Sequence, residues 1–392
     1  MSDTPIDRSP DLKRLRDEGY NIRLSTSGNH LVVDDVPYVN PAGHVCRGAL
    51  VLVLSLQADV AAQPDDHTAH FIGDVPSWSD GQPMSSIINS SGAFHLDEGL
   101  DAQHYLSAKP LERDLDHYAK VTRYVAAISG PARMIEPFAT AQTYALIQDI
   151  DPSSPLNFVD TASSRCGISG LNELTRGKRV AIVGLGGTGS YVLDFLAKTH
   201  VAEIHLFDGD CFFQHNAFRC PGSPTNDQLQ AKPTKVAYLA EMYSPMHRQV
   251  IPHDRFVNED DVIELTAMDA VFVCVDSGVC KQAIVPRLSE AGVTLIDVGM
   301  SVTLVDGSLT GLMRTTVGTP GHYDHLGSRI SFSDFDGDDY ARNIQVVELN
   351  ALNAALAVIK WKKTLGYYAD LRKEHDCTYV LTGNHIENAD PA

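Results

Sequence analysis

The chain has 392 residues, of which 43% are hydrophobic, and it carries 31 basic against 50 acidic side chains, a formal net charge of -19. This acidity argues against nucleic acid as a partner, because proteins that bind the phosphate backbone normally present a basic surface. The seven cysteines are scattered rather than arranged as a disulfide framework, and the longest apolar run, Ala49 to Leu54, is too short to span a membrane. We therefore expect about two domains in a reducing cytoplasm, without a membrane partner.

The first part of the chain mixes strand-like and helical segments, which predicts an N-terminal α+β domain over residues 11–150. The apolar stretch from Cys46 to Gln57 predicts a buried strand, and the periodicity from Glu112 to Ile128 predicts a helix. Residues 149–164, with two prolines and four serines, predict a linker. Nothing in these patterns indicates a role for the first domain.

Strands and helices alternate from Lys178 onward, which predicts a Rossmann-like α/β domain over residues 160–380. Its mostly parallel sheet would be covered by helices. The alternating segments are Arg179–Val183, Ser190–Thr199, Glu203–Asp208, Pro233–Met242, Ala270–Val275, Lys281–Ala291 and Thr294–Val298. A long helix is predicted after them, from about Asn343 to Lys363.

A glycine-rich stretch, VGLGGTGS at residues 183–190, joins the first strand of this alternation to its first helix. Strand, tight turn and helix start are the context of a nucleotide-binding turn, in which the helix N-terminus favours an anion. Gly184 allows the turn, and Gly186 lets the backbone approach a phosphate. Gly187 belongs to the same loop, and Gly189 lets the helix pack on the strand. Dehydrogenases and nucleotidyl transferases share this pattern.

The residues after the second strand discriminate between these classes. Asp208 lies 19 residues beyond Gly189, at a strand end, where a carboxylate accepts hydrogen bonds from ribose in NAD and ATP sites alike. Asp210, Asn216 and Arg219 follow it. An enzyme that uses a triphosphate needs such cations and amides around the reacting phosphorus, whereas most dehydrogenases do not.

Two lysines and one further carboxylate complete the predicted nucleotide site. Lys232 and Lys235 lie at the start of a helix and can neutralise phosphate, and the strand Ala270–Val275 ends at Asp276. Mg²⁺ prefers one or two carboxylates together with phosphate oxygens, so we predict ATP with Mg²⁺ bound by Asp276. Two alternatives stay open: an NAD-dependent Rossmann oxidoreductase, and a catalytically silent nucleotide-binding scaffold.

These motifs, in the order GLGGTGS, DGD, NAFR, a helix opened by lysine, and CVDS, resemble those of ThiF-type adenylyltransferases. That family includes the activators of sulfur-carrier proteins and the ubiquitin-activating enzymes. The resemblance covers about residues 160–365. It implies that ATP and Mg²⁺ adenylate the C-terminal carboxylate of a ubiquitin-like protein, with release of pyrophosphate and with a conjugating enzyme as a further partner.

The resemblance also implies roles for individual residues. Arg219 and Asp276 act in catalysis, and Arg165, in SSRCGI ahead of the first strand, resembles an arginine that reaches into the site of a partner subunit. A homodimer follows from that role. The family's spacing from Arg219 favours Lys232 as the phosphate ligand, whereas the position at the helix start favours Lys235.

The N-terminal region resembles a second known sequence type. The stretches HTAHFIGDVP, IINSSGAFHL and HYLSAKP are similar to an uncharacterised domain that is fused to bacterial activating enzymes. Those enzymes are encoded beside ubiquitin-like conjugation genes. This resemblance implies a bacterial ubiquitin-like conjugation system and assigns no residue roles.

The chain departs from the ThiF-type pattern at several positions. Cys220 stands where a glutamine usually follows Arg219, and the two Cys-x-x-Cys pairs of the family's structural zinc site are missing. Ubiquitin-activating relatives form a thioester on a cysteine in the crossover segment, but the matching residues 311–327 contain none. The covalent step is therefore a point at which this sequence departs from its relatives.

Three routes replace the missing thioester. Thr316, or else Thr315, forms an oxyester, and since a hydroxyl is a poor nucleophile it needs a base, for which His322 and His325 are the nearest candidates. Alternatively, a cysteine elsewhere, such as Cys220, acts as the nucleophile. In the third route the acyl-adenylate passes directly to an acceptor.

Overall fold

The computed structural model describes residues 5–149, 151–333 and 344–388. These residues form two compact units between which the chain crosses more than once. The first unit lies within Met1–Ile147 and Asp160–Gly167, and the second lies within Gln148–Val159 and Ile168–Ala392. The stretch predicted as a linker is thus divided between the two units. None of the helices in the described part of the chain has both the length and the apolar composition of a membrane span.

The first unit is built around an antiparallel sheet. Its elements are α1 (Pro5–Arg8), α2 (Pro10–Asp17), β1 (Ile22–Leu24), β2 (His30–Val39), β3 (Val45–Val53), β4 (Leu56–Gln57), β5 (Val60–Ala61), β6 (Thr68–Ile72), β7 (Ile88–Asp97), β8 (Leu100–Ser107), α3 (His117–Ile135) and α4 (Thr161–Arg165). Among the described residues, six strands pair antiparallel in the order β1-β2-β3-β6-β8-β7, and β4 pairs with β5. Helix α3 packs on the sheet, where Val121, Tyr124 and Ile128 are buried with Leu50. This arrangement confirms the predicted α+β domain.

Two predicted elements of this unit have different bounds in the structure. The helix predicted over 112–128 begins at His117, because the extended residue Asp116 caps it by accepting a hydrogen bond of 2.8 Å from the Ala119 N–H. The strand predicted over 46–57 is divided into β3 and β4. Local turn chemistry, rather than the apolar pattern, therefore sets these boundaries.

The second unit contains the alternating strands and helices. Its elements are α5 (Ser169–Asn172), β9 (Arg179–Val183), α6 (Gly187–Leu196), β10 (Glu203–Phe207), α7 (Gln214–Ala217), α8 (Asn226–Ala231), α9 (Lys235–Tyr243), β11 (Val250–His253), α10 (Glu259–Leu265), β12 (Ala270–Val273), α11 (Gly278–Ala291), β13 (Thr294–Val305), β14 (Ser308–Gly318), α12 (Leu326–Arg329), α13 (Val347–Thr364), β15 (Asp376–Val380) and β16 (His385–Glu387). The sheet order is β11-β10-β9-β12-β13-β14-β15-β16. The first five strands of this order, from β11 through β10, β9 and β12 to β13, run parallel to one another. Strands β14, β15 and β16 follow, each antiparallel to the strand before it. The predicted α/β fold with a mainly parallel sheet is confirmed.

The central strands β9 and β12 are almost entirely apolar because helices cover both of their faces. Along β9, Val180 and Ile182 join a core formed with α6, α9 and α13, whereas Ala181 and Val183 join a second core formed with α10 and α11. Successive side chains of a strand point to opposite faces, so one short run serves both cores. The centre of the sheet is thereby buried on both faces.

The strand predicted to end at Val298 continues to Val305 and turns back as β14. The turn consists of Asp306 and Gly307, whose φ angles are 47° and 79°. An Asp-Gly pair is favoured where both central residues of a two-residue hairpin have positive φ. The hairpin therefore adds antiparallel strands beyond the parallel part of the sheet.

Candidate functional site

Three neighbouring strands end in register at one edge of the parallel sheet. Val183 of β9 pairs with Phe207 of β10 on one side and with Val273 of β12 on the other. The chain leaves β9 for β10 and later returns to the opposite side of β9 with β12, so this is a switch point of the sheet. Ligands of open α/β sheets bind at such carboxyl edges.

A cavity of about 570 Å³ opens at this edge, a volume in the usual range for small-molecule sites. The predicted residues that line it are Gly184, Gly186, Gly187, Asp208, Asp210, Arg219, Lys235 and Asp276. The glycines, the two aspartates and Asp276 come from the connections after β9, β10 and β12, whereas Arg219 follows α7 and Lys235 opens α9. The structure therefore brings together eight of the predicted nucleotide-site residues around one space.

The glycine loop has room for a ligand on one side and none on the other. Gly184 has a φ of 89°, and a Cβ on Gly189 would lie 1.9 Å from the carbonyl oxygen of Gly184. A Cβ on Gly187 would lie 2.0 Å from Nδ2 of Asn350, whereas one on Gly186 would meet nothing within 4 Å. Helix α6 begins here without a side-chain cap, so its first N–H groups are available to an anion.

Asp208 holds this loop in place. Its Oδ2 accepts a hydrogen bond of 2.7 Å from the Leu185 N–H, and its Oδ1 accepts one of 2.9 Å from the Asp210 N–H. The Asp208 side chain is buried, whereas that of Asp210 is half exposed. Asp208 therefore supports the loop directly, and Asp210 offers the more accessible carboxylate at the cavity.

The two candidate lysines have different positions. Lys235 opens α9, and its Nζ lies 2.6 Å from Oδ2 of Asp210 and 3.4 Å from Oδ2 of Asp208. Lys232 follows α8 with a left-handed φ of 50° and is exposed beside a separate surface depression that Phe218 also lines. The structure thus places Lys235 at the cavity and Lys232 outside it.

Arg219 and Asn216 carry buried donors without acceptors. The Oδ1 of Asn216 accepts a hydrogen bond of 2.8 Å from the Phe213 N–H, which fixes the side chain at the end of α7. Its Nδ2 and the Nε of Arg219 are buried and have no hydrogen-bond acceptor among the described residues. Leaving a buried donor unsatisfied costs about 1–3 kcal/mol, so an anionic ligand at this site is favoured.

Asp276 lines the cavity beyond the end of β12. A carboxylate before a helix often serves as its cap, but here Ser277 has that function: its Oγ accepts a hydrogen bond of 3.3 Å from the Cys280 N–H at the start of α11. The Asp276 carboxylate is exposed at the carboxyl edge of the sheet. It is therefore placed to bind a cation in the cavity.

A buried ion triad lies beside the cavity and was not predicted from the sequence. Asp297 is fully buried, and its two oxygens lie 2.7 Å from Nζ of Lys281 and 2.7 Å from a guanidinium nitrogen of Arg314. The next residue of β13, Val298, lines the cavity. The aspartate inside the apolar stretch TLIDVG indicated a buried charge that needs partners. The sequence does not show which cations pair with it, because they come from other elements of the fold.

Thr315 and Thr316, predicted as nucleophiles, are fully buried in β14. Thr316 Oγ1 donates a hydrogen bond of 2.6 Å to Oδ1 of Asp376 in the neighbouring strand β15. The predicted bases have other contacts: His325 Nε2 bonds the Val317 carbonyl oxygen at 3.0 Å, and His322 stacks on another histidine. The two threonines therefore fit a structural role better than the predicted nucleophilic one, because an acyl group on a carrier protein has no access to them.

The remaining predicted residues lie apart from the cavity or are unreactive. Cys220 packs in the core between the sheet and its helices, and burial raises the pKa of its thiol, which disfavours the thiolate. Burial likewise raises the pKa of Cys274 at the cavity wall. Arg165 is exposed at the end of α4 and belongs to the first unit.

Comparison with known protein families finds a match for each part of the chain. Residues 160–330 match the ThiF family, and residues 10–161 match a domain of unknown function, DUF6791. The ThiF match confirms the resemblance that the motifs indicated.

The similar proteins include activating enzymes. The chain is 29% identical over 175 residues to ubiquitin-like modifier-activating enzyme 5 of Aedes aegypti and 30% identical over 176 residues to that of Drosophila erecta; each match covers 42% of this chain and 43% of the relative. The chain thus spans less than half the length of these relatives. Among solved structures, it is similar to E. coli MccB with MccA-N7isoASN, at 17% identity and a TM-score of 0.45 over 59% of this chain and 69% of that chain.

Proposed function

We propose that the ThiF family domain at residues 160–330 uses ATP and Mg²⁺ to adenylate the C-terminal carboxylate of a ubiquitin-like protein. The observation that carries this proposal is the convergence of Arg219, Lys235 and Asp276 with the glycine loop on one cavity. Two cations, an open helix start and a carboxylate are the parts that a triphosphate with Mg²⁺ requires. The relatives named ubiquitin-like modifier-activating enzyme 5 support the choice of acyl substrate.

The donors and acceptors of the cavity fit a nucleotide triphosphate. The open side of Gly186 and the N–H groups of α6 accommodate phosphate oxygens, and the Nε of Arg219, which lines the cavity, lacks an acceptor among the described residues. Asp276 would hold the Mg²⁺, which when bound neutralises charge on the phosphates. An NAD(H) site would leave this set of cations and the carboxylate without a role.

The adenylation step needs cations around the phosphates, because negative charge develops on their oxygens. An oxygen of the carrier's carboxylate attacks the α-phosphorus, the bond from that phosphorus to the bridging oxygen breaks, and pyrophosphate leaves with the electron pair. Arg219 and Lys235 are positioned to stabilise negative charge as it develops on these oxygens, an effect that is strong inside a cavity. Asp210, which holds Lys235 at 2.6 Å, keeps the ammonium at the cavity wall.

We further propose that the acyl-adenylate passes directly to an acceptor, such as a conjugating enzyme. Thr315, Thr316 and Cys220 are buried, and the raised pKa of Cys220 keeps its thiol protonated. Cys274 and Cys280 line the cavity, but burial raises the pKa of both thiols, which disfavours the reactive thiolate. An adduct that survives denaturation and disappears with reductant would contradict direct transfer.

We also propose that the chain forms a homodimer and acts in a bacterial ubiquitin-like conjugation system. The resemblance of Arg165 to an arginine shared between subunits supports the dimer, and the resemblance of the N-terminal region supports the bacterial system. Arg165 is the residue that would cross between subunits. Mixing Arg165→Ala with Asp276→Ala protein should restore activity after subunit exchange, because a mixed dimer contains one intact site. If two individually inactive variants regain nothing although they exchange subunits, the shared site is wrong.

The test of the adenylation itself is ATP–pyrophosphate exchange with a candidate ubiquitin-like protein. We expect exchange in the unmodified chain and its loss in Asp276→Asn, by about 100-fold or more, since several kcal/mol of charge stabilisation at the phosphates is removed. Asp227→Asn, at an exposed aspartate outside the cavity, is the matched control and should exchange normally. Unchanged exchange in a folded Asp276→Asn protein would refute the assigned site, and ATP binding without exchange would indicate a silent scaffold.

A further inference from the structure

A second cluster of ligand-type side chains lies at the β11 end of the same sheet, apart from the residues that line the cavity. His205 Nδ1 lies 3.0 Å from His253 Nε2, and Glu264 Oε1 lies 3.5 Å from His253 Nε2 and 3.8 Å from His205 Nδ1. Within residues 5–149, 151–333 and 344–388, these are the three His, Cys, Asp or Glu side chains whose ligand atoms converge within 4.8 Å. We propose that they bind a divalent transition-metal ion of the zinc type, with water as the fourth ligand.

The spacing of the three atoms suits a shared ion. Ligand atoms about 2.1 Å from a tetrahedral zinc ion stand roughly 3.4 Å apart. The three observed separations, between 3.0 and 3.8 Å, lie on both sides of that value. Two imidazoles and one carboxylate are also a common donor set for a three-ligand zinc site that keeps a position for water.

The opposite side of the His205 ring provides an independent observation. Its Nε2 lies 3.0 Å from Oε2 of Glu203, which Arg179 holds at 2.6 Å. Because a carboxylate oxygen is an acceptor, the Nε2–H of His205 donates this hydrogen bond to Glu203. A neutral His205 that donates from Nε2 must present its Nδ1 lone pair to the cluster. Such carboxylate–histidine pairs orient metal ligands.

The other two ligands are also held in a suitable orientation. His253 stacks on Phe207 with ring centroids 4.1 Å apart, which fixes the position of its ring. Arg255 lies 3.1 Å from Oε2 of Glu264 and 2.6 Å from Oδ1 of Asp261. The guanidinium therefore occupies one oxygen of Glu264 and leaves Oε1 directed at the two histidines.

An ion here would join three elements next to the cavity. His205 comes from β10, His253 from β11 and Glu264 from α10. The segment between β11 and α10 carries Phe256 and Val257, both of which line the cavity. The ion would hold α10 against the sheet and so keep this wall in position, a structural rather than a catalytic role.

The competing description is a metal-free chain of hydrogen bonds from His253 through His205 to Glu203. To separate the two, the full chain is stripped with a chelator and titrated with Zn²⁺ alone by calorimetry, and with Co²⁺ alone by visible absorption. We expect a single ion per chain with a tetrahedral Co²⁺ spectrum, and its loss in His205→Gln, His253→Gln and Glu264→Gln. His215→Gln, at an exposed histidine elsewhere in the unit, is the control and should bind normally.

Glu203→Gln provides a graded test that does not remove a ligand. Loss of an outer-shell partner weakens metal affinity by about 10- to 100-fold while the stoichiometry is retained. Glu264→Gln changes a partly exposed helix residue, so it keeps the test decisive if a histidine variant fails to fold. Failure of the unmodified chain to bind either ion, or an unchanged Co²⁺ spectrum in folded Glu264→Gln protein, would overturn the metal site and leave the hydrogen-bond chain.

Discussion

The carboxyl edge of β9, β10 and β12 and the hairpin of β13 and β14 both contain buried polar groups, but they use them differently. At the edge, the Nε of Arg219 is buried at the cavity and the Nδ2 of the nearby Asn216 is buried as well, and neither has an acceptor among the residues that the structure describes. In the hairpin, Asp297 is enclosed by two cations and Thr316 bonds Asp376, although Arg314 Nε and Thr315 Oγ1 are also buried there without a hydrogen-bond partner among the described residues. The paired groups of the hairpin support the fold, whereas Arg219 lines the cavity and its unsatisfied donor is available to a ligand. Residue type alone does not separate these two sets.

The largest effect on the hairpin side should come from its ion triad. We expect Asp297→Asn to lower the free energy of unfolding by about 3–5 kcal/mol, because Lys281 and Arg314 would keep buried charges without their partner. Chemical denaturation measures this. Asp306→Asn, in the exposed turn of the same hairpin, should change the stability by less than about 0.5 kcal/mol. Equal stabilities for the two variants would show that the triad does not support the fold.

The two lysines test the cavity side. Lys235→Ala should weaken ATP affinity by about 10- to 100-fold, since a hydrogen bond to a charged group contributes roughly 1.5–3 kcal/mol. Lys232→Ala, in which the lysine lies outside the cavity, should change the affinity by less than about twofold. Calorimetric titration with ATP–Mg²⁺ compares them. A larger loss of affinity in Lys232→Ala than in Lys235→Ala would show that Lys232 is the phosphate ligand, as the family's spacing from Arg219 implies.

Thr316→Val should affect stability and not nucleotide chemistry. Removing the hydroxyl takes a hydrogen bond from the buried Asp376 and should cost about 1–3 kcal/mol of unfolding free energy. Pyrophosphate exchange in the folded variant should remain within about twofold of the unmodified chain. Thermal unfolding followed by exchange at a lower temperature measures both. A stable variant that forms the adenylate but no longer transfers the acyl group would restore Thr316 as a reactive residue.

Much of the edge could be predicted because its signals are local. The strand predicted at Arg179–Val183 has those bounds in the structure, and the glycine loop follows it directly. The position of Lys235 could not be read from spacing, because α8 and the left-handed Lys232 fill the interval after Arg219. Only the folded chain shows which lysine returns to the cavity.

The hairpin was harder to predict for physical reasons. Its Asp306-Gly307 turn was a readable signal, but the flanking strands are partly exposed and lack a long apolar run. The burial of Thr315 and Thr316 depends on β14 lying between β13 and β15, a pairing with residues about 60 positions later in the chain. The ion pair between Lys281 and its partner on β13 could not be predicted either, because only tertiary packing brings the two residues together.

The most direct test of the account is a calorimetric comparison of ATP–Mg²⁺ with NAD(H) on the unmodified chain. The cavity combines two cations with a carboxylate at the sheet edge, so we expect ATP–Mg²⁺ to bind and NAD(H) not to bind. Asp276→Asn should reduce the Mg²⁺ dependence of ATP binding, which ties the signal to this cavity. Tight binding of NAD(H) together with no binding of ATP would contradict the adenylation site and favour an oxidoreductase.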